Sequence, residues 1–126
     1  MLLTKNIKAL IMAAAIILAS GNCYADSSLS DAIMHTQKAI DQGKLRYDLE
    51  FIKHAKLALK SATFSYRNMT ASFSSSEADA NAHKYKNIKF GIDELKVAIG
   101  DEKSFHIAEA LVHAEKALQF FHSQSE

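Results

Sequence analysis

The sequence predicts an all-α protein: an antiparallel four-helix bundle made of two duplicated helical hairpins. Three observations carry this expectation. Apolar residues recur at three- and four-residue spacings in four separate blocks. The chain holds no Pro, and no alternating apolar and polar run bounded by turn signals marks a strand. Finally, the second half echoes the first at a constant offset.

The first block to place is not part of the bundle. Residues 1–25 read MLLTKNIKALIMAAAIILASGNCYA, with Lys5 and Lys8 ahead of an apolar run from Ala9 to Ala19. Cys23 and Ala25 supply small residues at the third and first positions before a cut, the layout of a removable secretory signal. The apolar run is shorter than the roughly 20 residues that span a bilayer. Asn22 is a poor residue for lipid processing at Cys23. Export to the periplasm or outside the cell is therefore expected, with the only cysteine lost to the signal. The remaining chain uses no disulfide, so packing alone must hold it.

Residues 26–126 are then the bundle, with hairpin one at about 29–70, a linker at about 71–76 and hairpin two at about 77–124. In the first helix Leu29, Ile33, Thr36 and Ile40 fall on one face, flanked by Ala32 and Ala39, and Gly43 suits its C-terminus. The second follows with Leu45, Asp48, Ile52, Ala55, Leu59 and Ala62, beside Phe51 and Ala58. A serine-rich stretch connects the hairpins, and Ser74 and Glu77 have capping-box spacing for the third helix. That helix carries Ile88, Ile92, Leu95 and Ile99 inward and stops near Gly100. The fourth starts at about Lys103, with Ile107, Leu111, Ala114, Leu118 and Phe121 inward. Short connections at Gly43 and Gly100 make each pair an antiparallel hairpin, and two such apolar stripes bury best against each other.

A shift of 59 positions aligns the halves without gaps. Ile33 falls on Ile92, Ala39 on Ala98, Lys44 on Lys103, Glu50 on Glu109, His54 on His113 and Leu59 on Leu118. With Ile52 and Leu59 at heptad position a and Ala55 and Ala62 at d, His54 stands at c, outside the seam. His35, His106 and His113 share that slot on their own helices, as do Glu94 and Asp101.

The segments AIMHTQKAIDQGK, IKHAKLAL and LVHAEKAL resemble the small metal-binding protein (SmbP) family from about Ser30 to Gln124. That resemblance implies an exported, histidine-bearing four-helix bundle of seven-residue units associated with copper and other divalent metals. It implies ligand roles for His35, His54, His106 and His113. Where the family pattern has His, this chain has Gln42, Tyr47, Ser61, Glu94, Asp101 and Phe120, of which the two carboxylates keep coordinating power.

The candidate metal set is thus His35, His54, His106, His113, Glu94 and Asp101. Neutral imidazole suits Cu(II), Ni(II) and Zn(II), with Cu(II) favoured. His106 and His113 lie two turns apart, roughly 10.5 Å, so one helix cannot chelate a single ion with both. Ligands must meet across a hairpin. His35 and His54 sit eight residues before and eleven after Gly43, at comparable heights. Glu94 and His113 are their counterparts, and Asp101 and His106 form a further pair near the second turn.

Other classes find little support. Without Lys5 and Lys8, thirteen basic residues face fourteen acidic ones, a net charge of −1. Such a balance argues against nucleic acid or an anionic membrane surface as partner. No phosphate loop, haem attachment motif, HExxH pair or nucleophile elbow is present, so the protein is not expected to be an enzyme. The alternative is a helical protein-binding or stress-related module, or a homodimer, joined through Tyr47, Phe64, Tyr66, Phe73, Phe90, Phe105 and Phe120.

Overall fold

The computed structural model describes residues 24–72 and 81–125. The signal segment up to Cys23, the capping-box pair Ser74 and Glu77, and Phe73 lie outside them. Four helices are described: α1 Tyr24–Lys44, α2 Asp48–Ser72, α3 Ala82–Lys103 and α4 Ile107–Ser125. The cleavage point expected after Ala25 falls in the first turn of α1. Charge placement suits the helix dipoles: Asp48 and Glu50 open α2, Glu109 opens α4, and Lys44 and Lys103 close α1 and α3.

Chain neighbours are spatial neighbours. α1 packs on α2 and α4, and α3 packs on α2 and α4, which is the expected four-helix bundle. The core fills from all four rods. One cluster gathers Leu29, Ala32, Ala62, Ile88, Leu95 and Phe121. The other gathers Ile40, Phe51, Ala55, Ile99, Ala110 and Ala114 nearer the hairpin turns. The one polar side chain buried in the middle of α1, Thr36, donates its hydroxyl proton to the Ala32 carbonyl at 2.6 Å.

The buried face differs from the expected one in a way that matters for the site. In α2 the fully buried residues are Phe51, Ala55, Ala58, Ala62 and Ser65, while Ile52 and Leu59 are only partly covered. In α4 they are Ala110, Ala114, Ala117 and Phe121, with Leu111 and Leu118 partly covered. The seam therefore centres between positions d and g rather than between a and d. At 100° per residue that turns each of these rods by about 50°. The reason is size. The buried residues at position g are Ala32, Ala39, Ala58, Ser65, Gly91, Ala98, Ala110 and Ala117, with Phe51 the one large member, and small residues let backbones close together while longer side chains wrap the flanks. Position c borders g on the helix surface, so the rotation brings the c columns toward the interfaces.

Both hairpins turn in the same way, and neither does so at its glycine. Tyr47 N–H donates to the Gln42 carbonyl at 3.0 Å and Arg46 N–H to Gly43 at 3.0 Å; His106 N–H donates to Asp101 at 2.9 Å and Phe105 N–H to Glu102 at 2.9 Å. This is the Schellman pattern, whose left-handed residue is Arg46 in one turn and Phe105 in the other, both at φ 65°. Gly43 is still helical and buried. A Cβ there would lie 2.8 Å from side-chain carbons of both Leu111 and Phe51, so its role is close approach between helices. Gly100 sits in open space, and α3 runs past it to Lys103. Leu45, expected inside, is 61% exposed because it belongs to the turn.

Candidate metal site

The rotation of the rods decides where the histidines point. His35 on α1 and His54 on α2 face each other across the first hairpin, their Nδ1 atoms 3.2 Å apart. The rings lie nearly parallel, with centroids 5.5 Å apart. Only 17% of the His54 side chain is exposed. One ring donates and the other accepts, so at least one imidazole is neutral. Burial, above all, pushes the pKa of His54 below its ordinary value. Neighbouring positive charge at His35, Lys38 and Lys53 acts in the same direction, and Glu50 opposes it. The Glu50 carboxylate stands 3.9 Å from Nε2, on the far side of the ring from His35.

Nineteen residues separate His35 from His54, and nineteen separate Glu94 from His113. In the second hairpin the His113 Nδ1 is in direct contact with Oε2 of Glu94. The opposite nitrogen, Nε2, lies 3.8 Å from Oδ2 of Asp101. One imidazole on α4 thus stands between two carboxylates on α3, one turn pair apart. All three side chains are about three-quarters covered.

His106 behaves differently from expectation. It is exposed, and only its backbone reaches Asp101, as the second residue of the Schellman turn. The expected Asp101–His106 pair is replaced by Asp101–His113, because the left-handed step at Phe105 leaves the His106 side chain outside the bundle edge. His83 and His122 are exposed, as expected of residues off the column. Phe120, which stands where the family pattern has His, packs on Phe90 with centroids 5.4 Å apart.

The donor spacing fits a shared ion. Metal–nitrogen bonds of about 2.0–2.1 Å put two nitrogens about 2.9 Å apart at a right angle and about 3.4 Å apart at a tetrahedral one. The 3.2 Å between His35 and His54 falls inside that range. Among the described residues, no group of three or more His, Cys, Asp or Glu is gathered closely enough to enclose an ion. Each pair therefore offers two protein donors and leaves the remaining positions to water.

One buried acid was not foreseen. Glu102 is 4% exposed at the turn end of α3, near the Asp48 carboxylate across the hairpins, with its Oε2 unpartnered. Burial, then the Asp48 carboxylate, raises its pKa, while Arg46 opposes the shift. Asp48 was visible in the sequence as a polar intruder on the α2 seam; its partner had no such signal.

These features describe an all-helical bundle whose rod edges carry paired imidazoles and carboxylates. Residues 4–124 match the family described as Small metal-binding protein, and the chain belongs to that family. No curated protein matches the chain. No described helix is long and apolar enough to cross a membrane.

Proposed function

We propose that the protein is exported and buffers or sequesters divalent transition-metal ions, without catalysing a reaction. The observation that carries this reading is the pair of Nδ1 atoms of His35 and His54 at 3.2 Å. Two imidazoles suit Cu(II), Ni(II) and Zn(II), and the usual affinity order favours Cu(II). A pair of donors completed by water releases its ion readily, which suits buffering better than permanent retention. The lowered pKa of His54 acts on uptake, since protons then compete less with the ion near neutral pH. The 59-residue correspondence of the two turns and the two nineteen-residue pairs supports descent from a doubled hairpin. The signal-like residues 1–25 support a periplasmic or secreted location, to be checked by fractionation.

Calorimetric titration with Cu(II), Ni(II) and Zn(II) tests the function. Binding by the native protein that is lost when His35, His54, His106 and His113 are all changed to Ala is the expected outcome. Equal binding by both proteins would defeat the proposal.

A second reading draws on the turn end, where Leu45, Leu49 and Phe105 are 61%, 83% and 90% exposed. Such apolar tips suit a protein partner or a second copy. A Leu49→Ser, Phe105→Ser double variant with unchanged sedimentation would remove the homodimer from consideration.

A further inference from the structure

The metal-binding reading treats Glu94 and Asp101 alike, yet they address opposite nitrogens of one ring. A carboxylate only accepts, so in its contact with Glu94 the Nδ1 of His113 must carry the proton. In the neutral ring, Nε2 then carries a lone pair, and Oδ2 of Asp101 stands 3.8 Å from it. Two acceptors facing each other repel unless a proton or a cation lies between them. The gap is too long for a hydrogen bond. It is wider than the roughly 3.4 Å between two tetrahedral ligands, so a bound ion would draw nitrogen and oxygen together by about 0.4 Å. The Glu94 side is also less hospitable to a cation, because its groove is shared with Lys116.

We propose that His113 Nε2 and Asp101 share the ion, and that Glu94 is a positioning residue that fixes the ring and its tautomer from behind. The two hairpins then differ in kind. The first offers two nitrogens; the second offers one nitrogen and one carboxylate oxygen, backed by an outer carboxylate as in carboxylate–histidine–metal triads. This inference rests on the metal-binding reading, and its test separates the two.

The test uses the full 15N-labelled chain with Zn(II), a diamagnetic probe, and long-range 1H–15N correlations of the imidazole rings. Zinc should move the His113 Nε2 signal while Nδ1 keeps its proton. Glu94→Gln retains an acceptor but loses the charge, and should weaken zinc at His113 by about 10–100-fold with the ion still on Nε2. Asp101→Ala should abolish the response of His113 while the His35 and His54 signals respond as before, which also shows that the variant is folded. Zinc on Nδ1, or an Asp101→Ala protein that binds normally at His113, would overturn the assignment. A response at His35 and His54 with none at His113 would overturn it alone. Silence from every ring would overturn the metal-binding reading as well.

Discussion

Removing His54 tests whether the first hairpin holds an ion with two nitrogens. Replacement by Ala deletes one of two donors that stand 3.2 Å apart and leaves His35 to bind through a single bond. An ion present at one hundred times its dissociation constant stabilises the folded state by about 2.7 kcal/mol, which in a domain of this size raises Tm by about 11–22 °C. Scanning calorimetry with and without Ni(II) should show a rise of that order at this site in the native protein, and a substantially smaller one in His54→Ala. The same variant carries a pH signature. Because the folded pKa of His54 lies below 6.5, its contribution is fully present above that value and is lost as the pH falls through the folded pKa. His54→Ala without metal should therefore lose less stability than the native protein on acidification from neutral pH. An unchanged metal-induced rise in His54→Ala would refute the two-nitrogen argument.

Other expectations follow from packing and charge, each read by urea denaturation. Gly91→Ala would press a methyl into Phe121, with ring carbons within 2.8 Å, and should cost about 1–3 kcal/mol, whereas Gly100→Ala meets open space and should gain about 1 kcal/mol. Matching effects at the two glycines would contradict the packing. Glu102→Gln should stabilise the protein at pH 7, because a raised folded pKa means stability is full below 4.5 and is lost as pH rises through the folded value. A Gln variant with an unaltered pH profile would remove Glu102 from that role. Phe105→Gly should stabilise by about 1 kcal/mol, since a left-handed conformation costs a bulky residue about 1–2 kcal/mol.

The fold was legible because period and repeat agree in every helix. Four apolar stripes with two short turns leave little but a bundle. The c column was legible too, since His35, His54 and His113 take the same heptad position on their own helices. Which way the column faced was harder to read. Ile52 and Leu59 looked like the seam because they are large, but a helix pair closes where its residues are smallest. The signal was present in Ala32, Ala39, Ala58, Gly91, Ala98, Ala110 and Ala117, a column of small residues of which Ala32, Ala39 and Ala58 were placed only as flanking. Glycine misled in the same way. Gly43 and Gly100 looked like helix ends, yet the left-handed positions fell to Arg46 and Phe105, residue types that give no such hint. Pairing Asp101 with His106 followed from sequence proximity; the turn between them could not be drawn without its dihedrals. Glu102 stayed hidden because a buried acid at a d position looks like any exposed glutamate until its neighbours are known.

His35 and His54 stand on the two arms of one hairpin, and Glu94 and His113 on the two arms of the other. On the proposed function, loading capacity is then a property of the half-molecule. A chain lengthened by one more such unit would gain a berth without disturbing those it already had, and substitutions in one half can retune its appetite while the other keeps its own.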